Sequence, residues 1–355
     1  MQSKVIEIAG AGPAGLAAAI ALARRGFAVR VFERRLVAGS RFNDDFQGLE
    51  NWSSATGCID ELQALGVEPN WWSRPFSSAD FFGPGLRHAK VRALQPLFHC
   101  IRRGPLHPDS LDNALRRQAH ELGVEIRWGC RMEPADVQIF AGGPGGRPMG
   151  IARGLTFALE HPELSCTIVS DALAGNGYVY FIVADGQATL ATVLVGRFAG
   201  AAARLRLAVQ TVERLYGIRV PSTARQWTGS GRFFVPDNCR RGQTLLIGEA
   251  AGIQDAFLGF GLRAAMLSGA LAARAIAEGL DYDSLWRQRL LPFMEASRVN
   301  RAVFDRVGAA KSLIWVAARL MPDGDRLLRS GYALSHVHRL ALAWARRHFQ
   351  RAGYG

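Results

Sequence analysis

The chain is poor in lysine, in paired cysteines and in long apolar runs. Three of its 43 basic residues are lysines (Lys4, Lys90 and Lys311), so a formal net charge of +13 is carried almost entirely by arginine. Arginine suits phosphates and other anions because its planar guanidinium presents several donors in a fixed fork; an arginine-rich genome would give the same bias. The five cysteines, Cys58, Cys100, Cys130, Cys166 and Cys239, lack CxxC or metal-ligand spacing. That argues against a metal module and leaves small buried side chains in a reducing compartment. No run approaches the roughly 18 apolar residues of a spanning helix. The first residues lack the charged and then hydrophobic layout of a secretory signal. The expectation is a soluble or peripheral protein of the cytoplasm. With 21% charged and 49% hydrophobic residues in 355, disorder is excluded, and one large discontinuous domain or two can be built.

What is present begins with VIEIAGAGPAGLAAAIALARRGFAVRVFERR, residues 5–35. Val5 to Ala9 reads as a strand, Leu16 to Arg25 as a helix closed by Gly26, and Phe27 to Glu33 as a second strand. The turn between strand and helix is GxGxxG. Gly10 allows the tight turn, Gly12 lets backbone approach a pyrophosphate, and Gly15 lets the helix pack on the strand. The helix N-terminus offers free N–H groups to phosphate. Glu33 can accept from both hydroxyls of an adenosine ribose, with Arg34 beside it. Strand, turn, helix, strand and acid in that order point to a dinucleotide, NAD or FAD.

A second segment, TLLIGEAAGIQDAFLGFGLRAAMLSGALAARAI, covers residues 244–276. An apolar strand (Thr244 to Ile247) ends at Gly248-Glu249, and a helix from about Leu262 to Glu278 is rich in small residues. A carboxylate at a strand end can hold a ribityl hydroxyl. A helix N-terminus at Gly261-Leu262 can face a flavin edge and favour the negative charge of its reduced form.

These two segments together resemble the FAD-dependent oxidoreductases of the geranylgeranyl-reductase-like group, within the aromatic-hydroxylase-type flavoproteins. The resemblance covers about residues 1–280. The second segment normally reads GDAAG, so Glu249 stands where Asp is usual. The resemblance implies FAD and flavin-site residues at Ala14, Glu33, Arg103, Glu249, Gly261 and Leu262. It implies an α/β fold: a Rossmann-type FAD-binding domain with an inserted antiparallel substrate sheet and a helical C-terminal tail. Arg103 precedes an amphipathic helix (Leu111 to Leu122, capped by Asp109 or Ser110), with Arg102 as the alternative register and a surface arginine on a turn as the alternative to a cofactor contact. Aromatic hydroxylases carry an Asp-Gly pair in mid-chain that is tied to flavin and NAD(P)H. Here the stretch is DVQIFAGGPGG, with a strand at Val137 to Phe140 and no such pair. Direct use of NAD(P)H is therefore in doubt, and a ferredoxin or separate reductase is the other donor.

Thr156 to Val195 alternates like antiparallel strands, with turns at Gly175-Asn176-Gly177 and Asp185-Gly186. GYVYF places Tyr178 and Tyr180 on one side of a strand, facing a pocket or a core. It resembles an aromatic strand of the reductases but lacks their proline. Asn51 and Trp52 are further pocket candidates. Ser53 reads as the N-cap of a helix starting there, and Cys58 as a remote candidate for a flavin link. The aromatic run Trp71, Trp72, Phe76, Phe81 and Phe82 could wall a pocket or fill a core. No catalytic acid or base stands out, and no metal ligands do.

The expected division is 1–60, 104–148 and 236–282 for the FAD domain, 61–103 and 149–235 for the substrate domain, and 283–355 for the basic tail. Residues 285–355 hold thirteen Arg/Lys against four Asp/Glu. They read as two or three helices broken at Pro322-Asp323-Gly324. They could cap the core, rest on anionic lipid, or bind nucleic acid, for which no accompanying module exists. The reading is an FAD-dependent oxidoreductase, reductase or monooxygenase, acting on an apolar, isoprenoid-like or secondary-metabolite substrate. The alternatives are a non-redox flavoenzyme such as a cyclase, and a noncatalytic flavin-binding partner in a biosynthetic complex.

Overall fold

The computed structural model describes residues 5–54, 56–321 and 323–352; Lys4 and Pro322 lie outside them. The first half of the chain forms β1 (Ile6–Ala9), α1 (Pro13–Ala23), β2 (Val29–Glu33), β3 (Phe46–Glu50), α2 (Cys58–Ala64), β4 (Ser73–Phe76), β5 (Ser78–Phe82), β6 (His88–Arg92), β7 (Phe98–Arg102), α3 (Leu111–Glu121), β8 (Glu125–Trp128) and β9 (Ile139–Phe140). Then come β10 (Gly150–Ala158), β11 (Leu164–Ile168), α4 (Asp171–Ala174), β12 (Tyr178–Ala184), β13 (Gln187–Val195), α5 (Ala201–Tyr216), β14 (Arg225–Gly231), β15 (Arg240–Arg241) and β16 (Thr244–Leu246). Helices α6 (Leu262–Glu278), α7 (Tyr282–Arg289), α8 (Leu291–Arg306), α9 (Ala310–Leu320), α10 (Gly324–Tyr332) and α11 (His336–Arg351) complete it.

Three sheets result. The first runs β15-β16-β9-β1-β2-β8 and is parallel except at β15. β1 is central; its Ile6, Ile8 and Ala9 are buried, and Glu7 between them pairs with Arg30 of β2 at 3.2 Å. α1 covers this sheet and is itself buried from Ala14 to Leu22. An alanine-rich helix apolar all round suits a site between other elements, here the sheet, α3 and α6. The second sheet, β14-β10-β13-β12-β11-β5-β6, is antiparallel but for β11 beside β5. Asp185 and Gly186 join β12 to β13 with φ of 50° and 68°, the paired left-handed turn that matches strand twist. One face of this sheet packs under α5, with Val179, Phe181 and Leu190 against Leu205, Ala208 and Val212. The third sheet, β3-β7-β4, bridges the other two. The expected fold class, a Rossmann-type unit with an antiparallel sheet and a helical tail, is the one observed.

Several local expectations are corrected. The early helix starts at Cys58 rather than Ser53, because the Asn51 side chain, seven residues upstream, accepts from the Cys58 N–H at 2.8 Å. Ser53 Oγ instead donates to Glu50 Oε1 at 3.1 Å. α1 closes at Arg24, with Gly26 two residues beyond it at φ +83°. Beyond residue 285 the chain makes α8 to α11 after the end of α7, more than the two or three helices expected. Asp323 and Ser335 cap α10 and α11 through their side chains.

Candidate functional site

At Gly10 φ is +100° and an added Cβ would lie 2.3 Å from the Ala141 carbonyl oxygen, so only glycine fits. A Cβ at Gly15 would sit 1.9 Å from the Gly10 carbonyl oxygen. Gly12 is different: a Cβ there would meet nothing of the protein within 4 Å, because it points into a cavity. Glu33 fixes the turn from the end of β2. Its Oε2 accepts from the Ala11 N–H at 2.8 Å and its Oε1 from the Arg35 N–H at 2.9 Å. Arg34 lies exposed at the rim. No side chain caps α1, and its first turn holds no acid. Its unpaired N–H groups and positive end therefore open on the cavity.

The second segment meets the first at close range. A Cβ at Gly269 of α6 would lie 2.2 Å from the Ala14 carbonyl oxygen, and one at Gly248 would lie 2.8 Å from the Ala14 Cβ. Glu249 lines the cavity with Arg41 at 3.5 Å. Burial raises its carboxyl pKa, opposed by Arg41 and Arg103. The loop to α6 hangs on Asp255, which accepts from the Phe257 N–H at 2.8 Å, the Leu258 N–H at 3.0 Å and the Tyr332 hydroxyl at 2.7 Å. Tyr178 donates its hydroxyl to the Leu258 carbonyl. Gln254 donates to Gly259 at 3.1 Å and keeps a buried Oε1 without a partner. Gly261 precedes α6, again with no side-chain cap and no acid in the first turn, and Leu262 opens the helix. Two long helices thus aim uncapped N-termini into one cavity of about 900 Å³.

Arg103 lies in the cavity wall and is buried. It donates from Nε and a terminal nitrogen to Asp112, each at 2.9 Å, and from the other to Gln47 at 3.0 Å. The Phe42 ring lies 3.9 Å from it. Burial alone would raise the Asp112 carboxyl; the Arg103 charge outweighs it and holds the pKa below the usual range. Arg102 turns away, 5.0 Å over the Trp72 ring.

The structure separates the pocket candidates. Asn51 does not line the cavity: its amide nitrogen donates to the Pro96 carbonyl at 3.0 Å and its oxygen serves Cys58. Trp52 lines it, edge-on to Phe260 at 4.8 Å. Tyr178 and Tyr180 also line it, while Val179 and Phe181, on the opposite face of the strand, enter the core under α5. Of the aromatic run, Phe81 reaches the cavity. Trp72 stacks on Phe46 at 5.3 Å and Phe76 on Phe98 at 5.3 Å. The Cys58 thiol is buried outside the cavity, and burial raises its pKa to about 12, which removes it as a flavin link. Sequence reasoning did not place in the cavity wall α9, whose Ala310, Ile314 and Ala317 wall the deep end, or Arg301 and Tyr332 beside it. The unbroken apolar run of residues 313–318 was the available signal. No histidine stands among the described lining residues, and no described cluster of His, Cys, Asp and Glu could hold a metal.

The first unit matches the family model of an NAD(P)-binding Rossmann-like domain over residues 8–48. No curated protein matches the chain by sequence. Among solved structures, a geranylgeranyl bacteriochlorophyll reductase-like protein from Thermoplasma acidophilum is similar over 98% of this chain and 99% of its own, with a TM-score of 0.71 and 14% identity. A flavin-dependent brominase is similar over 97% and 100%, with a TM-score of 0.65 and 15% identity. A 2-methyl-3-hydroxypyridine-5-carboxylic acid oxygenase is similar over 94% and 100%, with a TM-score of 0.60 and 17% identity. At these identities the likeness is one of fold, and along nearly its whole length the chain has the fold of these proteins.

Proposed function

We propose that the chain is an FAD-dependent oxidoreductase acting on a largely apolar small molecule. One observation carries the reading. Two uncapped helix N-termini, from segments more than 200 residues apart, open on the same cavity, and that cavity runs on into an aromatic and aliphatic chamber. A dinucleotide that is anionic at both its pyrophosphate and its reduced ring suits two positive ends, and NAD has no use for the second. The residues fit FAD: Gly12 leaves room where a Cβ would intrude, and the buried Gln254 oxygen wants a donor. Gly10, Gly12 and Ala14 would face the pyrophosphate, with Gly15 packed behind them against Gly10, Glu33 at the adenosine ribose and Arg34 at its edge. Glu249 would take the ribityl chain, Gly261 and Leu262 the ring, and Arg103 would brace the middle. Bound FAD supplies transfer of hydride or single electrons, and activation of oxygen. The chain's own part is to exclude water: Trp52, Tyr178, Tyr180, Phe257 and α9 surround the chamber beside the flavin seat.

The proteins of similar fold are a reductase-like protein, a flavin-dependent brominase and an oxygenase, and flavin redox chemistry is the theme this reading takes from them. The loop at residues 141–146 lacks the Asp-Gly pair, which favours a ferredoxin or separate reductase over NAD(P)H as donor. A purified sample should show flavin absorbance that NADH and NADPH fail to bleach without oxygen. Rapid bleaching would assign NAD(P)H as donor, and a colourless protein that refuses added FAD would overturn the flavin reading.

The same reading gives the tail a task. No described helix is long and apolar enough to cross a membrane. Yet Leu313, Val316 and Leu320 of α9 and Val337, Leu340 and Trp344 of α11 are exposed at three- and four-residue spacing, among arginines such as Arg319, Arg339 and Arg347. Such faces suit an anionic bilayer, and α9 also walls the chamber, so a greasy substrate would enter from the lipid. The protein should sediment with vesicles holding about a third anionic lipid and not with neutral ones. L313E and L340E together should release it.

A further inference from the structure

The deep end of the chamber holds a cation that the apolar-substrate reading leaves without a task. Arg301 of α8 is in the cavity wall, its side chain only 1% exposed. A guanidinium has five N–H donors. One terminal nitrogen donates to Asp305 on the next turn, the Phe304 ring lies 4.5 Å from the group, and the buried Nε has no hydrogen-bond partner. Asp305 is not Arg301's alone, since it also faces His348 Nε2 at 3.0 Å. His348 Nδ1 accepts from Arg306 Nε at 3.1 Å. Asp305 therefore serves the buried Arg301 directly and the exposed Arg306 only through the imidazole, and the buried Arg301 Nε stays without a partner. The charge is felt in the chamber: burial raises the Tyr178 hydroxyl's pKa, and Arg301 opposes that rise.

A buried donor without a partner costs free energy, more when charged. Arg103, the other buried arginine of the wall, is held by Asp112 and Gln47 and has no such deficit. We propose that Arg301 receives the anionic end of the substrate: an apolar body carrying one terminal carboxylate, its tail among Phe257, Ile314 and Phe304 and its head on the spare guanidinium N–H groups. This rests on the flavin-oxidoreductase reading for the site and narrows its substrate class from apolar molecules to amphipathic acids. Planar carboxylate on guanidinium is the geometry arginine serves best.

The test uses the FAD-loaded full chain with decanoate and decanol as probes of one chain length, followed by tryptophan fluorescence, since Trp52 and Trp227 line the cavity. Wild type should bind decanoate about tenfold or more tightly than decanol, the worth of one charge-assisted contact. R301M should lose that preference while holding decanol within about twofold, and R301K should keep part of it. Equal wild-type affinities for acid and alcohol, or no saturable binding of either, overturn the proposal without need of a variant. So does R301M weakening both probes alike. Flavin content is read from absorbance in the same samples. A protein that takes no FAD counts against the flavin reading, whereas a flavin-loaded protein indifferent to the carboxylate counts against Arg301 alone.

Discussion

Gly12 separates the seat from the scaffold. At Gly15 a methyl group would collide with backbone at 1.9 Å, but at Gly12 it would meet no protein atom within 4 Å. The backbone there, φ −82° and ψ 178°, is ordinary for alanine. G12A should therefore leave the apoprotein within about 0.5 kcal/mol of wild type, or raise it by up to about 1 kcal/mol through a stiffer unfolded chain. The methyl would instead occupy the space where a pyrophosphate lies against the α1 N-terminus. Losing one N–H to phosphate contact costs about 1.5–3 kcal/mol, which is roughly 10- to 150-fold in affinity. Urea unfolding of apoprotein and FAD titration by quenching of flavin fluorescence read the two effects separately. A G12A protein that is stable and binds FAD like wild type would refute the assignment of the turn. One that unfolds early would refute the claim that Gly12 faces only the cavity.

Three further outcomes follow from buried groups. Burial raises the Glu50 carboxyl from 4.5 to about 7, with Arg263 opposing. Unfolded chains ionise it near 4.5 and the folded chain near 7, so the fold holds an extra proton in between. Stability should fall as pH rises through that window, by about 3 kcal/mol in all; E50Q should flatten the slope in urea melts, and an unchanged slope would refute the shift. Breaking the buried Arg103–Asp112 pair with R103M should cost about 3–5 kcal/mol, most of it recovered in R103M/D112L; a single variant as stable as wild type would show the pair to be idle. Y332F removes one of the donors to Asp255 and should cost about 1–2 kcal/mol. It should also speed proteolysis in the loop at residues 255–261, and an unchanged cleavage rate would mean the backbone N–H groups hold that loop unaided.

The parts legible in the sequence were those written locally. Spaced glycines and a terminal acid marked the first turn, and α6 runs over Leu262–Glu278 as its small-residue pattern suggested. What was missed depends on distant partners. Ser53 has the composition of a cap, but Asn51 does the capping from across a loop. The α9 helix is apolar on two faces, one toward the chamber and one exposed, and periodicity alone assigns neither. Arg301 looked like one more basic residue of a basic tail, because a spare donor is a property of its surroundings. Tyr178 and Tyr180 were ambiguous for the same reason: alternation says that they share a side and not what that side faces.

The tight crossing of α1 over α6 also sets a timetable. Ala14 leaves the ribosome more than 200 residues before Gly248 and Gly269, the surfaces it must touch. Until α6 emerges, the first helix has no lid and the nucleotide's far half no support. A nascent chain halted before residue 262 should therefore hold FAD weakly or not at all, and capture of the coenzyme arrives with the closing of the fold rather than guiding its start.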